Sequence, residues 1–507
     1  MAKRTSTYGW LAVLAGLVLL TLAGLLVVVR PWTSTDSPAA PAAVPTLGPP
    51  PAAVLAGVGD VAPPPTTTGL AATLDGLVGH ELGERVGLVV VDVLTGEPLY
   101  RQQGDRAIVP ASSTKLVTAA ATLATLAPAD RLVTVAVAGA EPGEVVLVGG
   151  GDPTLAVDAG GFYPGAARLD QLAAQVEAAL AGQAVRRVIV DATRYTGPVH
   201  GPWDADIPTG GYVGPVTALM TDGGRIDPDP AQGHRASARY QDPDLAAGEE
   251  FARLLGADSK RVERGTAPAS TGQVADPAPA GTPTPPAGAA EPSGAASAPA
   301  DTGWPAAGTE LGRVASPPVQ RLVELMLEYS DNVIAEVLAR EVALARGLPG
   351  SFTGAATALE QALVELGLPM GDPATGEVTL ADGSGLSRKN LLTADLLTAL
   401  LRRAATATPD DPLAGVVAGL PVAGWSGTLS ERYRTGADDS APAVGAGVVR
   451  AKTGTLYGVH ALAGLVVTAD GRWLAFAILA DQVPVGDELA RQHLDAIAAA
   501  LAGCGCR

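Results

Sequence analysis

Gly87–Val93 is an apolar, β-branched stretch, and Thr95-Gly96 then turns the chain toward Leu99-Tyr100. That pattern predicts a β-hairpin. Val117–Leu126 is Ala-rich and apolar throughout, which predicts a buried helix. Val319–Tyr329 and Val333–Leu344 predict two more helices, separated by a polar break at Ser330–Asn332. Near the end, Leu462–Thr468 and Trp473–Leu479 flank Asp470-Gly471, a second hairpin signal. A last helix is predicted over Asp487–Leu501. The two hairpins and the terminal helix can share one antiparallel sheet. The pattern therefore predicts an α+β layer arrangement whose first and last segments meet.

Three stretches break this pattern. Trp10–Val29 is an uncharged apolar run preceded by Lys3 and Arg4. It is long enough to cross a bilayer as a helix, and the flanking cations place the rest of the chain outside. A cleaved export signal is the alternative reading. Either way the bulk of the chain is expected outside the cytoplasm. Residues 31–69 are rich in Pro, Ala, Thr and Ser and read as a spacer. Residues 266–307 are similar in composition and are predicted to lack ordered structure of their own.

Composition narrows the field. With 507 residues the chain is too long for one ordinary core, and two or three domains are expected. A formal charge of −18 repels nucleic acid, and no basic stripe offsets it. Nucleic acid is therefore discounted as a partner. The five histidines are scattered, so no metal site is predicted. Cys504 and Cys506 are spaced poorly for a disulfide and too sparsely for zinc; they read as incidental thiols on an unstructured tail.

Three short motifs can carry chemistry together. Ser112-Ser113-Thr114-Lys115 follows Pro110 at a predicted helix start. A spacing of three sets Ser112 and Lys115 on one helical face. A serine hydroxyl needs a nearby base, and a desolvated lysine can serve. Ser330-Asp331-Asn332 fills the break between two helices, where a hydroxyl can relay a proton and an amide can hold a substrate amide. Lys452-Thr453-Gly454-Thr455 precedes the late hairpin, where a lysine and two hydroxyls can clamp a carboxylate. Each motif alone is commonplace, since Ser, Asp and Asn are ordinary cap residues.

In combination and in this order they resemble the signature of class A β-lactamases and penicillin-binding proteins. The long stretch between Ser112 and Ser330 is similar to the class C low-molecular-mass penicillin-binding proteins, the D-alanyl-D-alanine carboxypeptidase/endopeptidase family. Gly151–Leu155, Asp382–Arg388, Leu420–Gly424 and Val449–Leu456 resemble that family as well. The deacylating glutamate motif of class A β-lactamases is missing: Asn390 is the only asparagine between Asn332 and Lys452, and no Glu stands three or four residues before it.

The resemblance implies a serine β-lactamase/DD-peptidase-like domain, an antiparallel sheet flanked by helices plus a helical region, interrupted by an inserted β-rich region. On this reading 1–30 is an anchor or signal and 31–69 a linker. Residues 70–135 and 310–507 form the peptidase domain, and 136–309 the insertion. The resemblance also implies roles. Ser112 attacks the carbonyl between two D-Ala residues, Lys115 takes its proton, and Ser330 passes a proton to the departing amine. Asn332 binds the peptide amide; Lys452, Thr453 and Thr455 hold the terminal carboxylate. Arg388 and an acid, Asp204 or preferably Asp206, recognise a free amine of the substrate. The implied partners are peptidoglycan peptides ending in D-Ala-D-Ala, β-lactams, and the membrane through the N-terminal helix; no cofactor is implied. A β-lactam or muropeptide sensor and an idle wall-binding scaffold are the competing readings. Only about nine residues precede the apolar run, too few for a signalling domain.

Overall fold

The computed structural model describes residues 62–78, 80–229, 236–269, 303–372, 376–433 and 443–506. Trp10–Val29, the spacer up to residue 61 and most of the Pro/Ala-rich tract lie outside the described residues. In chain order the main strands are β1 (Arg85–Asp92), β2 (Pro98–Gln102), β3 (Val133–Ala138), β4 (Glu144–Val148), β5 (Arg187–Asp191), β6 (Glu263–Arg264), β7 (Glu310–Ala315), β8 (Val449–Leu456), β9 (Val459–Val467) and β10 (Trp473–Asp481). The main helices are α1 (Thr67–Leu74), α2 (Thr114–Thr125), α3 (Leu169–Leu180), α4 (Pro243–Leu254), α5 (Val319–Tyr329), α6 (Asn332–Ala345), α7 (Phe352–Glu365), α8 (Ala394–Ala405) and α9 (Asp487–Ala502).

The first sheet runs β8-β9-β10-β1-β2 and is antiparallel throughout. The early and late hairpins thus meet where β1 pairs with β10. Both faces of this sheet are covered. Leu88, Val90, Phe476 and Ile478 pack with Leu70, Leu74, Leu494 and Ile497 of α1 and α9. Val89, Val91, Ala477 and Leu479 pack on the other side with Leu116, Val117, Leu397 and Leu400 of α2 and α8. Double coverage explains why these strands read as continuous apolar runs and not as alternating ones.

Buried ion pairs pin the seam. Arg85 and Asp481 stand directly opposite each other and pair. At the far end Arg472 grips Asp92, which is fully buried and also accepts the N–H groups of Leu94 and Thr95 at 2.9 and 2.8 Å. The second oxygen of Asp481 accepts Val109 N–H at 3.2 Å, which ties the seam to the segment leading into Ser112.

The second sheet runs β6-β5-β4-β3-β7. β3 is antiparallel to β4 and β7, whereas β4, β5 and β6 are parallel. Parallel pairs need crossovers, usually helical. α3 connects β4 to β5, α4 lies between β5 and β6, and both pack on this sheet. The insertion thus contributes to a five-stranded sheet of its own, with helices α3 and α4 packed on it.

The two ends of the described chain also depart from expectation. The spacer reading ran to residue 69, but α1 begins at Thr67, capped by Thr66, whose hydroxyl oxygen accepts Gly69 N–H at 3.1 Å. The C-terminal tail is ordered against it: Thr66 N–H donates to Cys506 O at 2.8 Å, and Cys504 is buried among the α1 and α9 side chains. Cys504 and Cys506 are joined in a disulfide, not held as free thiols. Packing of α1 on α9 supplies the order that a bare Cys-x-Cys spacing does not reveal.

Removing the partner of a buried charge leaves that charge unsatisfied. Arg472→Ala should therefore destabilise the protein by ~3–5 kcal/mol, read as a lower midpoint in denaturant titration. A loss below about 1 kcal/mol would mean that the Asp92–Arg472 pair does not hold this seam.

Candidate active site

Pro110 ends the extended segment whose Ile108 bridges Leu392, and a single 3₁₀ turn, Ala111–Ser113, leads into α2. Ala111 has φ +46°, a left-handed conformation that costs a non-glycine residue about 1–2 kcal/mol. Its carbonyl takes the Thr114 hydroxyl at 3.0 Å, and Gly385 passes so close that a Cβ there would lie 1.9 Å from the same oxygen. The strained turn is thus held from two sides, immediately before Ser112.

Lys115, the second residue of α2 and one turn past Ser112, is fully buried. Its Nζ donates to Ser112 Oγ at 3.0 Å, Asn332 Oδ1 at 2.6 Å and Ser384 O at 2.7 Å. Three acceptors match the three donors of an ammonium group. Burial pulls the amine down while Asp382, Glu336 and Asp331 push it up, leaving it at about 8. An amine so placed can exchange a proton with the serine hydroxyl near neutral pH.

Ser330 ends α5 with φ +59°, and Asp331 caps α6 by accepting Val333 and Ile334 N–H at 2.9 and 3.0 Å. Burial raises the Asp331 carboxyl, but Arg225, the Ile334 N–H, Arg239 and Tyr163 together outweigh it and hold it at about 2. Asn332 then opens α6 with its oxygen on Lys115 and its Nδ2 donating to Tyr212 O at 2.9 Å.

β8 is the edge of its sheet. Ala451 N–H donates outward to Pro421 O, away from β9, and the β8–β9 register is unbroken. Because the ladder alternates, Thr453 and Thr455 also turn their backbone groups outward. Lys452 is fully buried and donates to Thr453 O at 2.9 Å; burial and then Lys115 pull it well below its ordinary value. A Cβ at Gly454 would meet Pro110 O at 2.7 Å, so glycine lets β8 lie against the turn before Ser112.

Ser112, Ser330, Asn332, Thr453 and Thr455 line one cavity of about 660 Å³. Lys115 and Lys452 stand behind it, and Asp206 reaches it directly. Arg388 does not pair with Asp206: its Nε donates to Asp204 Oδ2 at 2.8 Å and its Nη2 to Tyr457 O at 3.0 Å. Of the two candidate acids, Asp204 is therefore engaged by Arg388, whereas Asp206 lines the cavity. Both aspartates are exposed on one short turn that buries Ile207, so an apolar neighbour could not separate them.

Two carboxylates escaped sequence reasoning. Asp382 accepts Gly385 N–H, Ser387 N–H, Asn390 Nδ2 and Trp203 Nε1, all at 2.6–2.8 Å. Glu336 accepts Ser384 and Gly383 N–H at 2.9 and 3.2 Å. Between them they shape the loop that hands the Ser384 carbonyl to Lys115. The available signal was an acid amid the apolar run of α6. Among the described residues no cluster of His, Cys, Asp or Glu is arranged to hold a metal ion.

An antiparallel sheet closed by its first and last strands, a helix-borne Ser–Lys pair and an edge-strand Lys-Thr-Gly define the penicillin-binding class of active-site-serine peptidases. The fold agrees: penicillin binding protein 4 of Haemophilus influenzae superposes with a TM-score of 0.62 at 20% identity, covering 85% of this chain and 97% of that one. Residues 70–234 and 300–503 match the D-Ala-D-Ala carboxypeptidase 3 (S13) family. Carboxypeptidase DacB of Mycolicibacterium smegmatis is 39% identical over 98% of this chain and 96% of its own length. A D-alanyl-D-alanine carboxypeptidase of Actinomadura is 33% identical over 78% and 77%. The chain belongs to the D-Ala-D-Ala carboxypeptidase 3 (S13) family, and is a serine carboxypeptidase of the class C low-molecular-mass penicillin-binding type.

Burial and the neighbouring Asp382 raise the Glu336 carboxyl to about 7, so it is largely ionised around the Lys115 midpoint, where its charge favours the protonated amine. Glu336→Gln should therefore lower the Lys115 midpoint from about 8, measured by NMR on protein labelled at the lysine ε-carbon. A midpoint that stays put in folded variant protein would show that Glu336 does not act on Lys115.

Proposed function

We propose that Ser112 is the residue acylated by peptides ending in D-Ala-D-Ala, with carboxypeptidase action on stem peptides and endopeptidase action on cross-links. The observation that carries this reading is the 3.0 Å contact between Lys115 Nζ and Ser112 Oγ inside a buried site. Neutral Lys115 takes the hydroxyl proton as Oγ adds to the carbonyl between the two D-Ala residues. The N–H groups of Ser112 and Thr455 receive the developing oxyanion. The C–N bond then breaks as Ser330 passes its hydroxyl proton to the leaving amine and takes up in its place the proton that Lys115 received. Water cleaves the acyl-serine ester, releasing the shortened peptide and restoring the hydroxyl. Asn332 holds the peptide amide, while Lys452, Thr453 and Thr455 bind the terminal carboxylate. Arg388 and Asp204 shape the rim beside Tyr457, and Asp206 offers the cavity an acid for a free amine of the substrate.

β-Lactams present a carbonyl and a carboxylate in a similar relation, so the same steps acylate Ser112 with them. The penicillin binding protein 4 of Haemophilus influenzae has a structure in complex with a β-lactam, which supports this extension. The apolar run Trp10–Val29 supports a single-pass membrane anchor with the catalytic part outside the cytoplasm.

Intact-mass spectrometry of the full chain with benzylpenicillin should show a stable adduct that Ser112→Ala abolishes. Absence of an adduct in folded wild-type protein would sink the role of Ser112. For the anchor, the full chain should stay with membrane vesicles through a high-salt wash while residues 62–507 remain soluble. A full chain shed by that wash would refute it.

A further inference from the structure

The catalytic cavity contains two arginines that help keep Asp331 ionised but touch no reacting group in the steps above. Arg225 and Arg239 face each other as an isolated antiparallel bridge, and both line the cavity that holds Ser112. Like charges directly opposite each other destabilise such a pair. Their guanidinium groups converge on one point: a Cβ at Gly223 would lie 2.9 Å from Arg225 Nη1 and 3.3 Å from Arg239 Nη1. Gly223 has φ +64°, a conformation that glycine tolerates best.

Their compensation is unequal. Arg225 Nη1 donates to the Tyr163 hydroxyl at 2.8 Å and Asp222 O at 3.0 Å, and its Nη2 lies 3.5 Å from Asp331 Oδ2. Tyr163 in turn donates to that carboxylate oxygen at 2.7 Å. Arg239 meets only backbone carbonyls, Gly223 O at 2.7 Å and Gly211 O at 3.4 Å. Among the described residues no carboxylate forms an ion pair with it. Burial and the charge of Arg225 both pull the Arg239 guanidinium below its ordinary value. A half-buried cation beside a second cation, facing a substrate cavity, is a place where an incoming anion gains most.

Its position says which part of the substrate arrives there. Arg239 rests on Gly211 O, and the next residue, Tyr212, accepts Asn332 Nδ2. Arg239 therefore belongs to the Asn332 wall, whereas the terminal carboxylate pocket is built on β8. We infer that Arg239, backed by Arg225, forms an anion subsite for a second carboxylate of the substrate peptide, on a residue preceding the scissile bond. The inference rests on the peptidase reading and adds a specificity determinant to it.

The test uses two peptides ending in Lys-D-Ala-D-Ala, one with glutamate before the lysine and one with glutamine. The wild-type full chain should cleave the glutamate peptide with a kcat/KM higher by about tenfold or more, the worth of one charge-assisted hydrogen bond. Arg239→Gln should bring the two peptides to parity, and Arg239→Lys should restore part of the difference. The wild-type preference should also shrink with added salt. A purely structural Arg239 would lower both rates together and leave their ratio intact, which overturns the subsite. If Arg239→Gln does not fold, the wild-type ratio decides: parity at low salt overturns the inference, and a salt-sensitive preference supports it. Wild-type protein that cleaves neither peptide overturns the peptidase reading and the subsite with it.

Discussion

Everything at the centre of this protein depends on keeping one lysine amine out of water with its hydrogen bonds satisfied. A buried ammonium without partners would cost several kcal/mol. Lys115 escapes that cost because three segments far apart in the chain each bring an oxygen to it: Ser112 on its own turn, Asn332 at the start of α6, and Ser384 in the loop after α7. The amine is nonetheless not a fixed cation, because burial outweighs the three carboxylates behind it. The rest of the architecture can be read as what is needed to hold those oxygens still. Asp331 caps α6 so that Asn332 starts the helix in place. Glu336 and Asp382 hold the Ser384 loop by its backbone N–H groups.

The fold was largely legible because its elements announce themselves locally. The two hairpins carry turn residues between β-branched runs, and the paired helices around Ser330 are separated by three cap-forming residues. The meeting of β1 with β10 followed from the need to bury both faces of apolar strands. The insertion was less legible, since the Ala-rich helix α3 and the helix α4 carry no strong boundary signals to set against the strands around them. The ordered C-terminus was also missed: Thr66–Leu74 is short, and what orders it is packing against α9, a contact with no local sequence signature.

The site shows the same division. Ser112, Lys115, Asn332 and Thr455 come together as their motifs suggest, because each lies at an element boundary that its own residues create. Glu336, Asp382, Arg225 and Arg239 were not legible, since their importance lies in what they face across the fold. Asp382 looks like a turn aspartate until its four donors are seen, and they come from residues as distant as Trp203. Asp204 and Asp206 were inseparable for a related reason: within one turn, side-chain direction is set by Arg388 and Tyr457 on other segments.

The seam between β1 and β10 has a consequence for biogenesis. Arg85 and Asp481 are 396 positions apart, and β8, whose edge completes the cavity, lies late in the chain. Contacts of such high order form slowly and only after the whole chain is available. A chain that emerges from its amino end therefore displays Ser112 long before β8 and β10 exist. Until they dock, the cavity lacks the wall that carries Lys452, Thr453 and Thr455, and the site beside Ser112 is incomplete. Assembly order thus works as a safeguard: the reactive centre matures only once the late strands have docked.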